Sequence, residues 1–521
     1  MILTLPATAE LTPPNSVDVL HVVYQYTPEP LGGTEVYVQS LVHEATALGL
    51  RCAIAAPGAR NEHYQVAGIS VYRVAANLTT AQVYGEENSA ATTRWLEVLE
   101  LAAPRILHIH ARTPMLNSQV LRHARRLGIK VVYTVHTPTA FCQRGTMLEF
   151  GIKPCDGLVT LARCTQCALH GLGVPKLATQ ILAHIPPPAL LAMRHVVPPK
   201  IAFALSFRTL MKRAQLEQSA FFDACDHIIA VCIWIEDALK INGIASARLS
   251  LNRQGLRSDM QQTSLADQAT RQTSLADQAT RQTSLADQAT RQTSLADQAT
   301  RQTSLADQAT RQTSRADQAT RQTSLADQAP PLRVFALGRC DPNKGFDILI
   351  KAIKRCKMPI ELDLSLGISN DQDRILAEHL KQLAPSALIR IHVNLSGAPL
   401  LSLFQQSDVL AVPSIWMETG PLVVLEAFSQ RLPVIGSRRG GIAELVAHEK
   451  NGWLIPAGDV QAWVDALEMI ALDRSRIVRA RAAIGPVRTM SEVAFEHLSL
   501  YDKVLAKDNL NLPSLPSSSQ S

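Results

Sequence analysis

Short segments dominated by apolar residues, each followed by a stretch with helical spacing, recur along most of this chain. In the first half they are residues 19–24, 52–56, 106–110, 130–135 and 227–231. A strand with one wet face alternates polar and apolar residues. A continuous apolar run is buried on both faces, which requires a parallel sheet covered by helices on both sides. After the first run, residues 28–33 read as a loop, and Thr34 is placed to cap a helix. That helix carries its apolar positions at Tyr37, Leu41, Ala45 and Leu48, with Gly49 just beyond its end. Trp234 opens another helical stretch to Lys240. The alternation resumes over 332–337, 362–366, 389–393, 409–412, 433–436 and 452–455, and residues 492–506 form a terminal helix. At 521 residues the chain exceeds one ordinary core. The expected fold is therefore α/β, with two doubly wound, Rossmann-like domains.

Between the halves lies a decapeptide, (Q/R)-Q-T-S-L-A-D-Q-A-T, repeated seven times from Gln261 to Pro330 with departures only at Gln261, Arg315 and Pro330. Each copy has one anchor larger than alanine. Ten residues on an α-helix advance by about 1000°, so successive anchors drift by about 80° and build no stripe. Asp and Arg each occur seven times in the block, so it is charge-neutral. The reading is an expanded linker without a core of its own. The expected organisation is a disordered N-terminus over 1–16, a domain over 17–258, the repeat insert over 259–330, and a second domain over 331–488. A helix over 489–506 returns to the first domain, and a Ser- and Pro-rich tail covers 507–521.

A net charge of +6 is mild for this length and carries no nucleic-acid signature. The first residues lack the basic and long apolar regions of a secretory signal, and no run of about 20 apolar residues could span a bilayer. Nine cysteines in such a chain read as reduced thiols. The expected location is cytoplasmic. Residues 169–218 hold six Lys or Arg and the single acid Glu217. They read either as a solvated helical region or as a basic, apolar face for peripheral contact with anionic membrane lipid or a lipid-linked acceptor.

The segment from Pro413 to Ala427 carries most of the chemistry. It follows the 409–412 strand, and Gly420-Pro421 marks a helix start, where free N–H groups and the positive helix end suit an anion such as a diphosphate. Glu418 precedes that terminus and Glu426 lies more than one turn into the helix. At different distances from a phosphate site, they suit the hydroxyls of two sugars of one ligand. Two glutamates at this spacing are a weak signal alone.

The context strengthens it, because the sequence resembles the family-4 retaining glycosyltransferases, which have the GT-B fold. The resemblance rests on the Glu418-x7-Glu426 pattern, Leu337-Gly-Arg-Cys-Asp-Pro-Asn-Lys-Gly-Phe-Asp347, Gly436-Ser-Arg-Arg-Gly-Gly-Ile-Ala-Glu444 and Asn451-Gly-Trp-Leu-Ile. In the first half it rests on Gly32-Gly33-Thr-Glu35, Tyr133-Thr-Val-His136 and the run ending at Gly255. It implies a nucleotide-sugar donor bound by the second domain and a glycan or lipid-linked acceptor on the side of the first. Arg339 and Lys344 would hold the donor diphosphate, Glu418 the donor sugar and Glu426 the ribose. Thr419, Gly420, Pro421 and Leu422 would line sugar and phosphate, and Gly32 and Gly33 would approach the reaction centre. His136 would stand by the donor sugar as the second catalytic residue beside Glu418. The resemblance implies retaining transfer of a hexose-type unit with no cofactor required for catalysis. Asp371-Gln-Asp373 lies outside these motifs and reads as the acidic first turn of a helix. The alternatives are a phosphorylase or sugar-phosphate synthase of the same fold, and a non-catalytic interaction or metal-binding protein.

Cys142-x12-Cys155-x8-Cys164-x2-Cys167 is a second constellation. Cys-x2-Cys fits a zinc knuckle, and two further thiols would complete four ligands of a structural zinc. Buried or free thiols, and disulfides, stand beside that reading.

Overall fold

The computed structural model describes residues 16–29, 31–75, 82, 88–113, 115–184, 197–258, 260, 330–384 and 388–506. The expected disordered N-terminus, nearly all of the decapeptide block and the expected tail lie outside them.

The first domain opens with β1 (Val19–Val22), α1 (Gly33–Ala47), β2 (Cys52–Gly58), β3 (Glu62–Val66) and β4 (Ile69–Ala75). It continues through α2 (Ser89–Ala102), β5 (Ile106–Ile109), α3 (Ser118–Arg126) and β6 (Lys130–Val135). A small hairpin, β7 (Leu148–Glu149) and β8 (Lys153–Pro154), precedes α4 (Leu161–Gly171), α5 (Lys176–His184) and α6 (Pro199–Ala224). β9 (His227–Ala230), α7 (Ile233–Ile241) and β10 (Leu249–Leu251) complete it. The large sheet has the order β10-β9-β6-β5-β1-β2-β4-β3, parallel except for the β3–β4 pair.

The second domain alternates β11 (Leu332–Arg339), α8 (Phe346–Ile353), β12 (Ile360–Gly367), α9 (Asp371–Leu383), β13 (Ile389–Val393), α10 (Gly397–Gln406) and β14 (Val409–Val412). It continues with α11 (Leu422–Ser429), β15 (Val434–Ser437), α12 (Gly440–Leu445), β16 (Gly452–Ile455), α13 (Val460–Leu472) and α14 (Ser475–Ala482). Its sheet is parallel in the order β13-β12-β11-β14-β15-β16. The expected two-domain α/β fold is present, and the apolar runs are buried: every residue of β1, β5, β9, β14, β15 and β16 is out of solvent.

The chain then turns back. Leu256 pairs with Thr489, and α15 (Met490–Ala506) lies on α1, with Met490, Val493, Ala494 and Tyr501 in the same core as Tyr37, Val38 and Leu41. The last helix thus ties the second domain to the first by hydrophobic burial.

Three local expectations change. The first helix is capped by Gly32, not Thr34, because the Glu35 carboxylate turns back to accept the Gly32 N–H at 3.1 Å. Leu48 is its C-cap and half exposed rather than a core position. The β3–β4 hairpin was not foreseen: β3 is an edge strand whose residues include Glu62, His63 and Gln65, so it shows no apolar run.

In both sheets the strand order reverses at the strand pair that places the cleft. In the second domain the reversal falls between β11 and β14, in the first between β1 and β5. In doubly wound sheets ligands bind beyond the carboxyl ends of the strands at such a point. The loops leaving β11, β14, β1 and β6 carry the residues described next.

Candidate functional site

The loop after β14, Pro413 to Pro421, wraps around a buried carboxylate. Glu418 Oε1 accepts a hydrogen bond from Lys344 Nζ at 2.8 Å and one from Ser414 Oγ at 2.7 Å. Burial alone would raise the Glu418 pKa, but the Lys344 charge and these hydrogen bonds outweigh it and hold the carboxyl below its ordinary value. Lys344 also stands 5.7 Å from the centre of the Trp416 ring. The sequence reading gave Lys344 to the diphosphate and Glu418 to the sugar. The structure brings the two together as an ion pair, so Lys344 helps hold the Glu418 carboxyl ionised and each orients the other.

Lys344 ends the short 3-10 turn Pro342–Lys344, capped by Asp341, which accepts the Asn343 N–H at 2.8 Å. Gly345 follows with φ +67°, and a Cβ there would lie 2.3 Å from the Pro413 carbonyl oxygen. Gly345→Ala therefore meets both a left-handed backbone and a backbone clash. It is expected to destabilise the second domain by about 2–4 kcal/mol, read as a lowered denaturation midpoint; an unchanged midpoint would remove this account of the loop.

Arg339 closes β11 with its side chain exposed, and among the described residues no carboxylate lies within ion-pair distance of it. Its charge reaches Glu35, whose carboxyl is raised by burial against the opposing pull of main-chain N–H groups and Arg339. Glu35 holds the Gly32 N–H, and a Cβ on Gly33 would point into open space.

His136 follows β6 and is buried. Its Nε2 meets His110 Nδ1 at 3.1 Å, and His110 Nε2 meets His21 Nδ1 at 3.0 Å. The His136 ring lies edge-on to Tyr37, and its carbonyl accepts the Thr419 hydroxyl at 2.7 Å. Burial, with repulsion from His497, pushes the His136 pKa down to about 3. The ring is neutral at ordinary pH, with a buried Nδ1 that has no protein partner. It can donate or accept a hydrogen bond but carries no charge.

The helix after Gly420 starts at Leu422 with Pro421 as its cap, one position later than a proline in the first turn. The N–H groups of Leu422 and Val423 open it, and Glu426 sits in its second turn with Arg257 Nη2 3.7 Å from its carboxylate. Gly440 and Gly441 lie against the backbone of 417–420, and the Gly441 N–H donates to the Glu418 carbonyl at 2.6 Å. Trp234 Nε1, from the other domain, donates to the same carbonyl at 2.8 Å. Glu444 accepts the N–H groups of Ile233 and Trp234 at 2.9 and 3.1 Å, a carboxylate on the positive end of α7, and pairs with Arg253 at 2.9 Å. Met417 N–H donates to the Thr146 carbonyl at 3.2 Å. The two domains thus meet around the Glu418 loop.

Sequence reasoning missed Glu35, Ser414, Trp234 and Glu444 as parts of this site. Glu35 was legible as a carboxylate three residues after a capping glycine. Glu444 closes the Gly436–Glu444 motif, but nothing local joins it to Trp234, since 210 residues separate them. Asn370 caps α9 by accepting the Asp373 N–H, and Asp371 and Asp373 lie in the acidic first turn, where Asp373 accepts the Ser369 N–H and hydroxyl. The four cysteines line one cavity in the first domain, apart from the cleft.

Comparison with known proteins agrees with this architecture. Residues 318–484 match the family model described as glycosyl transferases group 1, and residues 31–181 match glycosyltransferase family 4. A D-inositol 3-phosphate glycosyltransferase of Corynebacterium urealyticum is 32% identical over 194 residues, 34% of this chain and 43% of that protein. The aligned stretch thus spans less than half the length of that curated relative. Among solved structures, sucrose-phosphate synthase from Thermosynechococcus elongatus superposes with a TM-score of 0.57 at 15% identity, covering 94% of this chain and 100% of that one. A glycosyltransferase from Rickettsia africae superposes with a TM-score of 0.54 at 13% identity, covering 94% and 99%. At these identities the likeness is one of fold.

Proposed function

We propose that this chain, which has the GT-B fold and matches group 1 and family 4 glycosyltransferases in its two domains, is a retaining glycosyltransferase. It moves a hexose-type unit from a nucleotide-sugar donor to a glycan or lipid-linked acceptor. The observation that carries the reading is the pair of part-exposed Lys344 with buried Glu418, set between the loops leaving β11 and β14 at the sheet reversal. A carboxylate held ionised beside a cation can accept hydrogen bonds from vicinal sugar hydroxyls, while the cation faces the phosphate that leaves.

In this reading the diphosphate lies against the N–H groups of Leu422 and Val423, with Arg339 and Lys344 as countercharge. Glu418 orients the sugar, and Glu426 takes the ribose hydroxyls. Neutral His136 offers its Nδ1 to the sugar, and the Gly32-Gly33 turn admits the acceptor. The acceptor hydroxyl attacks the face the diphosphate leaves, and a phosphate oxygen takes its proton. Bond breaking leads, so positive charge develops on the sugar as negative charge develops on the diphosphate, where the cations act.

The test is a product assay over a panel of nucleotide sugars with glycan and lipid-linked acceptors. Release of a nucleoside diphosphate with formation of an α-linked product from an α-linked donor is expected. Release of a sugar phosphate, or inverted product stereochemistry, would replace the reading with the phosphorylase or synthase alternative or with an inverting enzyme. No turnover or donor binding across the panel would favour the non-catalytic alternative.

The acceptor side of the proposal extends to α5 and α6. Leu177, Ile181 and Ile201 are exposed there, with Leu172 exposed at the end of α4, next to Lys176 and Lys200. Apolar side chains beside cations suit an anionic lipid surface. No described helix is long and apolar enough to cross a membrane. The protein is expected to sediment with vesicles containing phosphatidylglycerol and not with pure phosphatidylcholine, and Leu177→Ser with Ile181→Ser to weaken that binding severalfold. Equal sedimentation with both vesicle types would end this part of the proposal.

A further inference from the structure

The residues that lie between His136 and α4 form a small unit of their own. The β7–β8 hairpin is flanked by Cys142 before it and Cys155 just after it, and α4 contributes Cys164 and Cys167. Three residues apart, the last two share one helix face. All four thiols are half-buried, none is in a disulfide, and together they line one cavity with Arg144, Arg163 and Met147. The Phe150 N–H points at Cys167 Sγ at 3.2 Å, so that sulfur already serves as an acceptor. Arg144 Nε is buried at this cavity with no partner.

We propose that Cys142, Cys155, Cys164 and Cys167 together bind one thiophilic divalent metal ion, of the zinc class. Two thiols from a hairpin and two from the following helix supply the four ligands of a closed structural site. On binding, each thiol loses its proton to solvent, and a dication with four thiolates carries a net charge of about −2. The Arg144 guanidinium at the cavity wall offsets part of that charge, while Arg163 is already paired with Asp156 at 2.6 Å. Arg144 Nε gains the acceptor it lacks.

Closure requires movement. Tetrahedral zinc–sulfur bonds of about 2.3 Å set sulfurs about 3.8 Å apart, and among the described residues no three of these sulfurs lie within 4.8 Å of one another. Rotation about χ1 swings each sulfur between staggered positions and brings it toward the common cavity. The three metal-capable groups that do lie that close are His21, His108 and His110. Both ring nitrogens of His108 and of His110 are already hydrogen-bonded within the core. Of the trio's ring nitrogens only His21 Nε2 has no partner, and the trio includes no carboxylate to balance a cation.

The site is separate from the proposed transfer chemistry but bears on the cleft. The loop it would brace begins at His136 and carries the Thr146 carbonyl that receives the Met417 N–H. Asn242 of α7 holds the same loop through Gly157 O at 2.8 Å and Val159 N at 2.9 Å. Metal binding would therefore fix one wall of the cleft without touching the sugar.

The test is elemental analysis of the full chain purified without chelator, and again after the reduced protein is loaded with zinc chloride and desalted. About one zinc per chain is expected, with the four thiols shielded from a thiol reagent until a mercurial displaces the metal. Cys155→Ser with Cys164→Ser is expected to lower the zinc content at least fivefold while the far-ultraviolet circular dichroism is kept. Three outcomes overturn the proposal: less than about 0.2 zinc per chain after loading with four reactive thiols, loss of thiols to disulfides in the purified protein, or full zinc content in the double variant. The last would move the metal to the histidine trio or elsewhere. Should the double variant not fold, displacement by the mercurial in the unaltered chain still decides, since zinc release matched to four modified thiols assigns the ligands and release without them does not.

Discussion

Glu418→Gln is expected to lower transfer by about 10²–10³-fold and to leave both sheets folded. Glutamine keeps the volume and can still accept the Ser414 hydroxyl, so packing within the loop is preserved. What it removes is the negative charge that holds Lys344 and, in the proposed function, the acceptor for the sugar hydroxyls. The carboxyl also carries a pH signature. Its pKa lies below the usual 4.5 in the folded chain, so the group adds stability above that pH, and the contribution is lost as pH falls through the folded value. Thermal unfolding followed from neutral pH to about pH 3 should show this loss in the parent chain and a weaker one in Glu418→Gln. Turnover within about threefold of the parent would remove Glu418 from the site, whatever the melts show.

Lys344→Met is expected to cost as much, by a different route. The cation beside the leaving diphosphate disappears, and Glu418 loses the partner that offsets its burial. Burial is the largest influence on that carboxyl; with the lysine gone, its pKa is expected to rise above 4.5. Residual activity should then increase with pH through the mildly acidic range, which the parent chain should not do. Because the two side chains act as one unit, Glu418→Gln combined with Lys344→Met should cost little more than either alone. Fully additive losses would show that they serve the reaction separately, and the ion pair would lose its place in the argument.

The architecture was largely legible because its cause is local. A run such as residues 409–412, apolar at every position, can only be a strand buried on both faces, and the structure places Val409–Val412 there with all four residues buried. The edge strand β3 was not legible, since its residues are only partly buried and show no apolar run. The start of α1 was misplaced by two residues because the cap is a glycine served by a carboxylate three positions on. Thr34, a better capping residue by type, lies inside the helix.

The site divides along the same line. Glu418 and Glu426 stood out because a strand end and a helix start fix the loop that carries them, whereas Arg339 and Lys344 were singled out by the family resemblance alone. Their relations to one another were not legible. Nothing in the sequence states that Lys344 Nζ sits 2.8 Å from Glu418 rather than free for a phosphate, because that distance depends on which strands are neighbours. Nor does anything local join Trp234 to the Glu418 carbonyl, Thr419 to the His136 carbonyl or Glu444 to the start of α7. Hydrophobic period and turn chemistry within a few residues were enough for the buried strands, most helices, the two domains and the loops on which charged residues stand, though not for the edge strand β3. Only the tertiary structure decided which charges are paired, which histidine is buried and neutral, and where the domains touch. Those properties depend on burial and on distances between segments far apart in the chain, and burial is what sets both the strength of a charge pair and the protonation of a ring.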